Sequence, residues 1–174
     1  MYDKIGGTPD INIEVVSSKA DYTYGALLNF GKYTNVNSYM GIWTTTSTDR
    51  VYQMSYSYKR GDNTVQNINY KIPSTMYPLN TYKTLSYGKN NKTCYTYLDG
   101  EKIDEKVAEK YAGWLTDKIY IGRDLKAADG NGNFVEGKNY YFKGNIKSIR
   151  IYDRPLTQDE IKINSQIDLE RFGS

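Results

Sequence analysis

Alternation of apolar and polar residues with a period of two runs through most of the chain. Ile11-Asn12-Ile13-Glu14-Val15 alternates cleanly, which predicts a strand with one buried face. Tyr24 to Gly31 and Ser38 to Thr44 follow as strands, separated by the polar stretches Ser17 to Asp21 and Lys32 to Asn37. The clearest period-2 run is Val51 to Tyr58, with Tyr52, Met54, Tyr56 and Tyr58 on one face. Gln53, Ser55 and Ser57 on the opposite face are too small and polar for a core, so the tyrosine face is the one predicted to be buried. Arg60-Gly61-Asp62-Asn63 turns the chain back into a strand from Val65 to Ile72. Pro73 and Pro78 bracket a loop, because proline cannot donate to a central ladder. Tyr82 to Tyr87 and Thr93 to Leu98 are the next strands. Asp99-Gly100 supplies the positive φ angles of a type I′ turn and makes Tyr97 to Ile103 a tight hairpin. A Gly/Asn-rich excursion, Asp124 to Lys138, then leads to the final strand.

The pattern changes at the end of the chain. A β-branched strand carrying Phe142, Ile146, Ile149, Ile151 and Tyr152 stops at Asp153-Arg154-Pro155, and a helix is predicted near Gln158 to Ile167. Thr157 is its N-cap, and Glu160 completes a Thr-x-x-Glu capping box. Leu156 before the cap and Ile161 after it form a hydrophobic staple.

Phe142, Gly144, Ile146, then Ile149-Arg150-Ile151-Tyr152, then Arg154, Leu156, Thr157, Glu160 and Ile161 make a long, specific pattern. It resembles the ending of LamG-like jelly-roll domains in the concanavalin A-like lectin/glucanase superfamily. The Asp-Gly hairpin and Ile119-Tyr120-Ile121-Gly122-Arg123 resemble two further family signatures, so the resemblance covers roughly Ile11 to Phe172. It implies an all-β, antiparallel two-sheet β-sandwich of the concanavalin A-like jelly-roll type with a short C-terminal helix. One LamG-like domain, residues 1–174, is expected, either standing alone or cut from a longer chain with other domains. The family also has an upstream strand pairing beside the last one, for which Met1 to Gly7 is short and glycine-rich.

Composition narrows the partners. Nineteen tyrosines against four phenylalanines suit half-buried strands with wet outer faces rather than a helical bundle. The formal charge of +3 is spread without a basic run, so nucleic acid is not an expected partner. No stretch is apolar enough to span a bilayer, and membrane insertion is not expected. A single cysteine, Cys94, rules out an internal disulfide and reads as a buried thiol on a strand.

Catalytic chemistry has little to work with. The chain has no histidine, which removes Ser-His-Asp and Cys-His arrangements. Glycoside hydrolysis needs paired carboxylates converging on one bond. The local candidates, Glu101, Asp104 and Glu105, follow a hairpin turn, are interleaved with lysines, and include neighbours that alternation sends to opposite faces. They read as a solvated arm, and a glycosidase or lyase is disfavoured. Asp129, Asn131 and Asn133 have the rhythm of an oxygen-ligand calcium loop, with Asp124 or Glu136 able to add an oxygen. Phe134 and Tyr140 occupy the positions where an EF-hand needs glycine and glutamate. No cofactor is expected, with calcium as the alternative.

Aromatic residues carry the functional expectation. Sugar sites set flat rings against the apolar faces of pyranoses while amides and carboxylates take the hydroxyls. Tyr56, Tyr58, Tyr70 and Tyr87 could pave one sheet face, but Trp43, Tyr111 and Trp114, near strand ends and loops, are the preferred ligand contacts. The resulting expectation is a non-catalytic module that binds glycan or cell-surface polysaccharide, in a secreted, cell-surface or phage-tail protein. The alternative is a structural or assembly module of a larger particle without a small-molecule ligand. The matching locations are extracellular, cell surface or virion, in a bacterial or phage setting. Arg60-Gly61-Asp62 and the sequon Asn91-Lys92-Thr93 are accounted for as turn chemistry and coincidence.

Overall fold

The computed structural model of the chain describes residues 10–21, 23, 25–30, 39–44, 50–59, 65–107, 119–123 and 141–173. Ten strands and one helix occur among them: β1 Ile11–Lys19, β2 Gly25–Phe30, β3 Tyr39–Thr44, β4 Arg50–Lys59, β5 Val65–Pro73, β6 Lys83–Asn90, β7 Thr93–Leu98, β8 Glu101–Val107, β9 Ile119–Ile121, β10 Gly144–Tyr152 and α1 Gln158–Phe172. Two antiparallel five-stranded sheets result, ordered β10-β1-β6-β7-β8 and β5-β4-β3-β2-β9. The contacts divide the chain into two compact units, each holding one of these sheets.

In the unit that holds β4, the alternating run pairs with β3 and β5 over its length, Met54 standing opposite Ile42 and Tyr70. The side chains of β4 lie outside the described residues, as do Asp124 to Lys138 and Arg60-Gly61-Asp62, so the expectations for them are not addressed. Ala26, Leu27, Leu28, Ile42 and Ile72 are buried. Gly122, at φ 70°, ends β9, donates its N–H to Leu27 O and accepts from Phe142 N.

The second unit holds the first and last strands side by side. β1 pairs with β10 from Asn12↔Tyr152 to Lys19↔Gly144, and with β6 on its other edge. β1 is thus a strand upstream that pairs beside the last one, and Met1 to Gly7 lies outside the described residues. Two expectations change. Ser17 to Lys19 continues β1 instead of turning, and all nine residues of β1 are buried rather than those on one face. Ile13 and Val15 form one buried face, while the polar face, Asn12 and Glu14, is also covered. The cover over Glu14 is α1, whose Asn164 and Asp168 reach into the same hydrogen-bond network.

The helix forms for the reasons legible in its sequence. Thr157 accepts from Glu160 N, and Glu160 returns the bond to the Thr157 N–H, completing the capping box. Leu156 and Ile161 are buried together with Tyr97, with Tyr95 and Tyr152 packed against the cluster. The Asp-Gly hairpin also forms, with φ of 49° at Asp99 and 82° at Gly100. A Cβ at Gly100 would come within 3.1 Å of Lys162 Cα, so the turn's missing side chain also lets α1 approach. Cys94 is a buried free thiol, its pKa raised by burial against an opposing hydrogen bond from Tyr87.

Candidate binding site on the first sheet

On one face of the β10-β1-β6-β7-β8 sheet the register sets out two adjacent rows of side chains. The first runs Tyr152, Asn12, Gly88, Tyr95, Glu105, and the second Arg150, Glu14, Ser86, Tyr97, Lys102. The second row is held by charge. Glu14 Oε2 accepts from Arg150 Nε at 3.0 Å, Asn164 Nδ2 at 2.9 Å and Tyr152 Oη at 3.2 Å. Arg150 also forks onto Asp168 from α1, with Nη1 donating to Oδ1 at 2.7 Å and Nη2 to Oδ2. Both carboxylate side chains are wholly shielded from solvent. Burial raises the Glu14 pKa although Arg150, Tyr152 and Asn164 all pull it down, and Glu14 Oε1 has no hydrogen-bond partner. These two acids hold a helix to a sheet and are closed off from solvent.

The first row opens into a pocket of about 300 Å³ where α1 begins. Asn12 from β1, Gly88 and Asn90 from β6, and Tyr95 and Tyr97 from β7 line it, and the segment Pro155 to Thr157 forms its remaining wall. Gly88 creates the floor: a Cβ there would lie 2.7 Å from Asn12 Oδ1. Asn12 is 1% exposed and fixed by Ser86, donating Nδ2 to Ser86 Oγ at 3.1 Å while that hydroxyl lies 3.3 Å from Asn12 Oδ1. Sequence reasoning passed over this site because it ended the strand at Tyr87, whereas β6 runs on to Asn90. A glycine inside a strand marks close approach or open space, and that signal was available at Gly88.

The residues singled out earlier are placed as follows. Trp43 lies on β3 and is 5% exposed, so little of its indole is open to a ligand. The ring lies over Gly41, where a Cβ would come within 2.5 Å of it. Tyr111 and Trp114 lie outside the described residues. Tyr87 is 3% exposed, a packed residue rather than paving. The acidic arm of β8 is exposed and ion-paired, Lys102 with Glu105 at 2.7 Å, Lys106 with Asp104 at 3.3 Å and Lys162 with Glu101 at 3.2 Å. Among the described residues no group of three or more acidic or cysteine side chains is arranged to hold a metal ion, and no helix is long and apolar enough to cross a membrane.

Beside the pocket, Arg154 donates to both oxygens of Glu160, at 2.9 and 2.6 Å. That pair and the Thr157 N–H hold the Glu160 carboxyl at about 2, below its ordinary 4.5. A depressed folded value contributes stability that is complete above the unfolded pKa and lost as pH falls through the folded one. The capping box is therefore expected to weaken between about pH 4.5 and 2. A carbon-detected NMR titration of Glu160 checks this, and a midpoint near 4.5 would show that the cap ion pair does not form in solution.

Comparison with known proteins places this geometry. Residues 10–162 match a laminin-G-type family model, described as the concanavalin A-like lectin/glucanases superfamily, and so cover most of the chain. The chain belongs to that superfamily. Its fold class is accordingly the all-β jelly roll with a C-terminal helix. A comparison with curated proteins finds no sequence match. Among solved structures, the chain is similar to the CBM40 domain of Ruminococcus gnavus IT-sialidase in its structure with alpha2,3 sialyllactose. The TM-score is 0.66 at 15% identity, over 92% of this chain and 85% of that one. The leech intramolecular trans-sialidase, complexed with 2,7-anhydro-Neu5Ac, gives a TM-score of 0.66 at 16% identity, over 94% of this chain and 24% of that one. A SAP-like pentraxin from Limulus polyphemus gives 0.57 at 12% identity, over 92% of this chain and 73% of that one. These superfamily likenesses are at the level of fold.

Proposed function

We propose that the protein is a non-catalytic glycan-binding module of a secreted, cell-surface or phage-tail protein. The observation that carries the reading is the likeness, over nearly the whole chain, to a sialidase domain solved with sialyllactose. Local chemistry supports a binding role over a catalytic one. The acids of β8 are paired with lysines, and the shielded acids Glu14 and Asp168 are tied to Arg150 where α1 meets the sheet. Binding is expected in the micromolar-to-millimolar range, since a shallow wet site keeps little free energy after immobilising its ligand.

A glycan microarray, followed by titration of any hit, tests the proposal. A saturable carbohydrate hit is expected, and its absence across the array would favour the structural-module reading. The 5% exposure of Trp43 is an observation on that second side, since a loop site needs an accessible ring. If the loop aromatics do bind, Tyr111→Ala and Trp114→Ala should each weaken the hit.

A further inference from the structure

We infer that the pocket over β1, β6 and β7 binds a single neutral pyranose ring, an inference that rests on the glycan-binding reading above. Size comes first. Ligand pockets span roughly 300–1,000 Å³, and this one lies at the small end, suited to one ring rather than an oligosaccharide. Its lining has the mixed character a sugar needs. Tyr95 and Pro155, both half-buried, offer apolar surface for ring C–H groups above the packed Tyr97, and the exposed amide of Asn90, with Asn12 Oδ1 at the floor beside Gly88, offers donors and acceptors for hydroxyls. Asn12 is pre-positioned for this. Its side chain is buried and clamped by Ser86, yet an amide has four hydrogen-bonding positions and Ser86 takes two of them. Gly88 completes the design, because any side chain there would occupy the floor beside Asn12.

Charge selects the class of sugar. None of the lining residues is ionisable apart from the two tyrosines, and burial raises the Tyr97 pKa, keeping that phenol neutral. The nearby cations are paired, Lys102, whose ammonium stands 5.6 Å over the Tyr95 ring, with Glu105, and Arg154 with both oxygens of Glu160. The start of α1 would otherwise attract an anion, but Asp159 and Glu160 in its first turn offset that field. A sugar carboxylate would thus be desolvated without a counter-charge, whereas a neutral ring carries no charge to desolvate.

Saturation-transfer NMR on the full chain tests this with glucose, galactose, mannose, N-acetylglucosamine and 3′-sialyllactose as probes. At least one neutral sugar is expected to bind. Tyr95→Ala and Gly88→Val should each weaken it roughly tenfold, the scale of a lost aromatic contact or a blocked floor. Asn90→Ala, at an exposed position that does not endanger folding, should weaken it severalfold. Binding of a neutral sugar that is unchanged in Tyr95→Ala and Asn90→Ala would overturn the pocket assignment and leave the glycan-binding reading standing. Binding of sialyllactose with no neutral sugar bound would overturn the charge argument alone. Failure of every probe here and of every glycan on the array would overturn both.

Discussion

Arg150→Met is expected to cost about 3–5 kcal/mol of folding stability, the usual penalty for breaking a buried ion pair from one side. The cause is what remains behind. Glu14 and Asp168 are both fully shielded side chains, and Arg150 is the cation that bonds to each of them. Methionine keeps much of the packing volume and removes the charge, so the loss reports electrostatics rather than a cavity. The deficit should narrow as pH falls, because protonation relieves the Glu14 carboxylate, whose pKa burial already raises and which has lost its counter-charge. Urea denaturation at neutral and acidic pH measures both effects. Equal midpoints for the variant and the parent at neutral pH would mean that α1 does not dock on β1 and β10 through this cluster.

Ile161→Ala should cost about 2–5 kcal/mol, the range for truncating a buried isoleucine. Ile161 is 1% exposed and packs with Tyr97 and Leu156, so the cavity would open beneath the first turn of α1. Thr157→Ala, which removes the cap but no packing, should cost about 1 kcal/mol. The ordering of the two is the informative result. If Thr157→Ala proved the more damaging, the helix would be held by its cap rather than by the staple. Because Leu156 belongs to both the cluster and the pocket wall, Ile161→Ala should also weaken any sugar bound there.

Much of this architecture was readable before any coordinates, and the reasons are local. Thr157, Glu160, Leu156 and Ile161 act within five positions of one another, and Asp99-Gly100 sets its own backbone angles. Most strands followed from alternation, apart from β9 and the ends of β1, β6 and β8. What the sequence hid was non-local. Asn12 and Glu14 looked like a solvent face because the helix residues that cover Glu14 lie at the other end of the chain. For the same reason Gly88 signalled open space but not what borders it: its adjacency to Asn12 comes from strand pairing, and the pocket's outer wall arrives with Pro155 to Thr157. The aromatics chosen as ligand contacts were picked by position near strand ends, which does not reveal that the Trp43 ring lies over Gly41.

The pairing of β1 with β10 sets a timetable for synthesis. β1 is among the earliest described segments to leave the ribosome, yet its two neighbours, β6 and β10, come from the middle and the end of the chain. At about 5–20 residues per second, β1 waits roughly 7–27 seconds for its final partner. Non-local pairing of this kind also slows folding itself, since loop closure precedes any gain from contacts. Meanwhile Ile11-Asn12-Ile13-Glu14-Val15-Val16 is a β-prone segment free to pair with another nascent copy. Glu14 sits in its middle, and in the waiting chain its charge guards against such pairing. Only when Arg150 and α1 arrive does that guard become a structural contact.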